Sequence, residues 1–160
     1  MLSSQITIID FDAAYALETV KMWRQSFQRA MGLEEHNRFS ELESQLKYFM
    51  GLDSSISKVA MDQACSKIVG LMTLSHEELL HLFVHVEHQG FGIGSRLLAA
   101  AKTLSPNGLT LYTFDKNLKA QLFYLSHGFV EVGRGYADFA GNPWARSKEE
   151  LADVQFLWRG

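Results

Sequence analysis

Cysteine and proline are scarce in this chain: Cys65 stands alone among 160 residues, and Pro106 and Pro143 are the only prolines. One thiol forms no internal disulfide and supplies no cysteine cluster for zinc, which points to a reducing, cytoplasmic setting. An excess of charge of one sign is lacking too. Fifteen Lys and Arg against eighteen Asp and Glu leave a formal charge of -3, and no basic run is present to neutralise the phosphates of a nucleic acid. Long apolar runs are also missing, and the opening residues, MLSSQITIID, hold neither a basic start nor a signal-like apolar stretch. The expectation is a soluble chain without a leader, with neither a nucleic acid nor a membrane as partner.

What is present suits one globular domain over residues 1–160. Hydrophobic residues make up 47% and charged residues 21%, no repeat or polar linker divides the chain, and a domain of this length typically buries about 70% of its unfolded surface. A short alternating strand is predicted at 5–9. The stretch from Asp12 to Met31 follows with Leu17, Val20, Phe27 and Ala30 at helical spacing, stopped by Gly32. Ser40 and Glu43 form the S-x-x-E pattern of a capping box for a second helix carrying Leu42, Leu46, Phe49 and Met50, closed by Gly51.

From Ser57 to Val84 the pattern changes to three short apolar runs, broken near 63–66 and 75–78, which reads as an antiparallel meander. A helix over 92–104 follows, with Ile93, Leu97, Ala101 and Leu104 on one face, then the turn SPNG and a strand at 109–113. Asp115 is placed to cap a helix ending at Gly128, and two strands close the chain at 129–136 and 153–158. The order is β-α-α-β-β-β-α-β-α-β-β. A strand, helix and strand over 79–113 imply one right-handed parallel crossover in a mostly antiparallel sheet. The fold class is therefore α+β, a mixed sheet with helices on both faces.

Residues 89–94 read QGFGIG where a buried strand hands over to a helix. Three glycines there remove Cβ atoms where unpaired helix N–H groups emerge, so an anion such as a pyrophosphate can approach the backbone. The same glycines would equally serve a tight turn and close packing. A nicotinamide site fits poorly, because the spacing is G-x-G-x-G rather than G-x-G-x-x-G and a meander precedes it.

The segment LFVHVEHQGFGIGSRLL, Leu82 to Leu98, resembles the acyl-CoA-binding motif of the GNAT superfamily of N-acetyltransferases, Q/R-x-x-G-x-G/A, through Gln89, Gly92 and Gly94. NLKAQLFYLSHGF resembles the same family's second segment through Asn117, Ala120, Phe123, Tyr124, Gly128 and Phe129. The likeness covers roughly 68–136. WRQSF at 23–27 is compatible with it, and 137–150 departs from it.

This resemblance implies a GNAT-like fold and direct transfer of an acetyl group from acetyl-CoA, as cosubstrate, to an amine of a small molecule, peptide or protein. The implied cofactor-binding residues are Leu82, Phe83 and Val84 for the pantetheine arm, the backbone of Gly90, Phe91, Gly92, Ile93, Gly94 and Ser95 for the pyrophosphate, and Gln89 and Asn117. Tyr124 is the implied general acid. On one helix Asn117 and Tyr124 would share a face about 10 Å apart.

For the base that takes the amine proton, His76, Glu77, Glu78 and His81 lie near the third strand of the meander, with Glu78 and His81 as the catalytic candidates. A regular strand turns these two to opposite faces, so both reach one side only across a bulge. His81 and His85 in a strand lie about 13 Å apart, too far to share an ion, and no metal is expected. Trp23 and Phe27 are read as core or cleft wall, Cys65 as a loop thiol, and His127 as a partner for carbonyls at a helix end. A noncatalytic acyl-CoA-binding or sensing module is the alternative, and pairing of two copies into a homodimer through an exposed C-terminal strand stays open.

Overall fold

The computed structural model describes residues 5–33, 42–52 and 55–160. Chain order runs β1 (Ile6–Asp10), α1 (Ala16–Met31), α2 (Leu42–Met50), β2 (Ser55–Asp62), β3 (Lys67–Ser75), β4 (Glu78–Val84), α3 (Ile93–Leu104), β5 (Gly108–Phe114), α4 (Leu118–Ser126), β6 (Val130–Tyr136) and β7 (Ala152–Arg159). Single turns of 3-10 helix lie at Ala13–Tyr15, Val86–His88 and Glu149–Leu151. The strands form one sheet in the order β1-β2-β3-β4-β5-β7-β6, antiparallel everywhere except between β4 and β5. The predicted order, the meander and the single parallel crossover are all present.

Each face of the sheet carries its own core. On one, Val20 and Trp23 of α1 and Phe49 of α2 pack over Val59, Ile68 and Leu71. On the other, Ile93, Leu97, Leu98 and Ala101 of α3 cover Val69, Met72, Leu109 and Leu111. Burying one Leu or Ile side chain contributes about 2 kcal/mol, so a slip of register that turned either set to solvent would be strongly disfavoured. Gly70 lets α3 sit close to the sheet. A Cβ there would lie 2.8 Å from Leu97 Cδ1 and 3.3 Å from Ile93 Cγ2, an overlap that typically costs about 1–3 kcal/mol. A third cluster, Met31, Leu33, Trp144 and Leu151, ties the long β6–β7 connection across the end of α1.

Helix ends follow local chemistry, with corrections. Gly32, at φ +68°, ends α1 as expected: its N–H donates to Arg29 O and that of Leu33 donates to Gln28 O. The inward face of α1 is Ala16, Thr19, Val20, Trp23 and Ser26, whereas Leu17 and Ala30, predicted to be inside, are exposed. Met50 and Leu104 are likewise exposed, and Leu98 takes the buried place in α3. Ser40, half of the predicted capping box, lies outside the described residues. Asp115 does not cap α4. Asn117 does, accepting the Ala120 N–H at 3.2 Å, while Asp115 pairs with Arg134 at 2.8 Å. An Asn immediately before the first helical residue reaches the exposed amides that an acid further upstream cannot.

Candidate active site

The parallel pairing of β4 and β5 is brief. Glu78 is in register with Thr110, whose N–H donates to Glu77 O at 2.8 Å, and the two strands then part. Beyond that point the far edge of β4 has no strand beside it. His85 donates its N–H to Val69 O at 2.8 Å, so the Val84 carbonyl, trans across the same planar peptide, points away from β3 into the gap. Apart from that carbonyl, which Ser26 and Gln89 take up, a strand edge with no strand beside it is a template for an extended ligand carrying amides.

The gap widens into a cleft of about 740 Å³. Its walls are Leu82, Phe83 and Val84 of β4, the turn and helix start from Gln89 to Ser95, the first half of α4 with Phe123 and Tyr124, and Ser26, Arg29 and Ala30 of α1. Gly90 and Gly92 take φ values of +87° and +82°, a region costly for a side chain, although a Cβ at either would meet nothing within 4 Å. Their freedom therefore serves the turn and not packing. Gly92 opens α3 without a side-chain cap, and no acidic residue occupies the first turn. The amides at the α3 start, with the positive end of the helix dipole, face the cleft and suit an anion.

Side chains from three elements clasp the cleft edge. Val84 O accepts from Ser26 Oγ at 3.0 Å and from Gln89 Nε2 at 3.0 Å. Gln89 Oε1 in turn accepts from Lys119 Nζ at 2.8 Å. His127 bridges the two helices, with Nε2 2.9 Å from Ser95 Oγ and Nδ1 2.8 Å from Phe123 O, the carbonyl contact expected of it. Arg29, Lys116 and Lys119 lie on the walls, and no carboxylate does among the described residues. In a chain of net charge -3, this concentration of positive charge marks the cleft for an anionic ligand.

Tyr124 sits deep in this cleft, 7% exposed, with its ring against Phe123, Phe129 and Phe156. Burial pushes its phenol well above the ordinary value, so it keeps its proton at any working pH. Asn117 also lines the cleft, but as the cap of α4 its Oδ1 is held by Ala120 N–H, and it stands before the helix and not within it.

The base candidates lie elsewhere. A bulge in β4 pairs Thr73 with His81 and Leu74 with Leu79, leaving Leu80 as the extra residue. Glu78 and His81 thereby share the face covered by α1 and α2, the case a regular strand forbids. His81 is enclosed by Trp23, Tyr48, Phe49 and Phe83, with Trp23 at 4.5 Å, and its Nδ1 is buried without a partner. Burial lowers its pKa to about 4, which makes it a neutral and weak base. Glu78 is half-buried near Tyr48, whose phenol is raised by burial and by that carboxylate.

Of the predicted cofactor residues, all but Phe91 line the cleft; Phe91 is 45% exposed on the outside of the turn. Neither Glu78 nor His81 lines it. Ser26, Arg29, His88, Lys116, Lys119 and Phe123 do, and were not singled out from sequence as contacts in the cleft. The two lysines flanking Asn117 were the available signal; Ser26 offered none, because its role depends on where α1 crosses β4.

Comparison with known proteins agrees with this geometry. Residues 54–131 match the family described as acetyltransferase (GNAT) domain. Peptidyl-lysine N-acetyltransferase YjaB of Salmonella typhimurium is 31% identical over 125 residues, 78% of this chain and 83% of that protein. A GCN5-related N-acetyltransferase from Rhodopseudomonas palustris superposes with a TM-score of 0.74 at 18% identity, covering 100% of this chain and 99% of its own. PaiA N-acetyltransferase from Thermoplasma acidophilum, solved with coenzyme A, superposes at 0.68 and 17% identity, covering 97% and 99%. These two share the fold. The alignment with a curated acetyltransferase over most of both chains makes this chain a member of the GNAT superfamily, and an acetyltransferase.

Proposed function

We propose that the enzyme transfers the acetyl group of acetyl-CoA directly to a primary amine, with a lysine side chain of a peptide or protein as the favoured acceptor. One observation carries the donor: an uncapped helix N-terminus and an open strand edge line the same cationic cleft, one suited to a diphosphate and the other to the amides of pantetheine. The coenzyme A bound to the Thermoplasma neighbour supports this donor. The acceptor class rests on the curated relative, named a peptidyl-lysine N-acetyltransferase.

In this reading Ile93, Gly94 and Ser95 amides bind the diphosphate, and the β4 edge at Leu82 and Val84 aligns the pantetheine arm. The amine nitrogen attacks the thioester carbonyl, forming a C–N bond. The C–S bond then breaks, and the departing thiolate takes the Tyr124 proton. The amine loses its proton through water to Glu78, the half-buried carboxylate on the same face as His81, because His81 itself is enclosed by aromatic rings with its Nδ1 buried. Products are the amide and the free thiol of CoA.

The test is release of CoA thiol with lysine peptides, polyamines and aminoglycosides as acceptors. Turnover with lysine peptides above the other amines is the expected result. Preference for a small amine would overturn the acceptor, and failure of acetyl-CoA to raise the melting temperature, or equal stabilisation by NAD, would overturn the donor.

A further inference from the structure

Behind the glycine turn lies a charge that the transfer reaction does not use. Asp62 ends β2 with its side chain 7% exposed, and His88, 13% exposed, stands between it and the cleft. His88 Nε2 is 3.3 Å from Asp62 Oδ2, while Asp62 Oδ1 accepts the Ala64 N–H at 3.0 Å. At the other side of the ring, His88 Nδ1 is 3.4 Å from His85 Nδ1. That His85 nitrogen already accepts the Glu87 N–H at 3.1 Å.

A ring nitrogen accepting a hydrogen bond carries no proton, so His85 has none to offer His88 at Nδ1. His88 therefore meets an acceptor at both nitrogens, a carboxylate on one side and an unprotonated imidazole nitrogen on the other. Only the doubly protonated ring satisfies both. A neutral His88 would either oppose two lone pairs or leave Asp62 Oδ2 without its donor. Both separations are long for hydrogen bonds, so charge contributes much of the hold. Asp62 agrees: burial works against its ionised form, yet the Ala64 amide and His88 hold its carboxyl below the usual range.

The surrounding charges are mixed. Lys67 of β3 opposes a positive charge on this pair of rings and Glu87 favours it, as their effects on His85 show. Arg29 of α1 and Lys116 and Lys119 beside α4 stand on the cleft walls. Asp62 is the carboxylate in contact with His88.

We propose that Asp62 is a positioning residue that holds His88 as an imidazolium on the inner wall of the cleft, where it adds a pH-dependent positive charge for the diphosphate of the acetyl donor. This role rests on the acetyl-CoA reading above. Its consequence is that donor affinity weakens at alkaline pH, where that charge is absent, while turnover at saturating donor does not follow it.

The experiment measures the CoA dissociation constant from pH 5.5 to 9 for the wild type, His88→Gln and Asp62→Asn, and follows the His88 ring by two-bond 1H–15N spectra. Loss of one cation close to a diphosphate corresponds to about a tenfold weakening. His88→Gln is expected to bind about tenfold more weakly at low pH, to match the wild type at pH 9 and to keep its kcat. Asp62→Asn removes the carboxylate that favours the charged ring, and is expected to move the affinity change to lower pH. Melting temperatures check that both fold, and if Asp62→Asn does not, His88→Gln decides. An unchanged pH dependence in His88→Gln, equal weakening at every pH, or a neutral His88 ring at pH 6 overturns the role. Failure of CoA to bind the wild type at any pH overturns the cleft assignment itself, and this role with it.

Discussion

Ser26 of α1 donates its hydroxyl to the carbonyl of Val84 at 3.0 Å, across 58 positions of sequence. This bond fixes the helix that forms one wall of the cleft to the strand edge that forms its floor. Gln89 occupies the same carbonyl, so the Val84 oxygen is satisfied from both sides before any ligand arrives.

Removing that hydroxyl should loosen the wall without breaking the fold. Ser26→Ala is expected to lower unfolding stability by about 1 kcal/mol, because Val84 O keeps its bond from Gln89. Denaturant unfolding should show a reduced midpoint at unchanged slope. A weakening of acetyl-CoA binding above about tenfold would mean that Ser26 itself touches the donor.

Gly92 and Gly94 should respond differently to alanine. At φ +82° Gly92→Ala carries backbone strain of about 1–2 kcal/mol and turns the α3 amides, so acetyl-CoA binding should fall sharply. Gly94→Ala places its Cβ 3.4 Å from the Phe123 ring, an ordinary contact, and should fold and bind nearly as the wild type does. Isothermal titration with CoA separates the two; equal losses would contradict this account of the turn.

Tyr124→Phe keeps the ring among Phe123, Phe129 and Phe156 and removes one proton. If that proton goes to the departing thiolate, kcat should fall by roughly 100-fold with little change in donor affinity. Single-turnover rates would show the loss in the chemical step. An undiminished chemical rate assigns the proton to water instead.

His81 makes the fold sensitive to acid. Its pKa falls from the usual 6.5 to about 4 because burial penalises the imidazolium. The unfolded chain therefore binds this proton first. Stability is fully present above pH 6.5 and is lost as pH falls through 4, by up to about 3 kcal/mol. His81→Phe should flatten this limb of a melting-temperature profile between pH 7 and 4. A wild-type profile already flat there would show that the ring is charged in the folded state.

Local rules carried the sequence a long way. The broken apolar runs from Ser57 to Val84, the left-handed stop at Gly32 and the glycines at 90 and 92 are short-range signals, and each appears in the structure where the sequence placed it. The two motifs likewise converge on one cleft, because the turn before α3 and the start of α4 stand at its mouth. What depended on distant packing was out of reach. The α1 face rotated away from Leu17 toward Trp23 and Ser26 because the helix lies across β3 and β4, which helical spacing alone does not reveal. The bulge at Leu80 put Glu78 and His81 on one face and enclosed His81 in aromatic rings, against the alternation a regular strand implies. Ser26 on Val84 and Asp62 beside His88 are contacts between elements far apart in the chain. Residue type and spacing determine what a segment forms, and only the closed sheet decides which side chains meet across it, since those meetings are fixed by packing and not by any local preference.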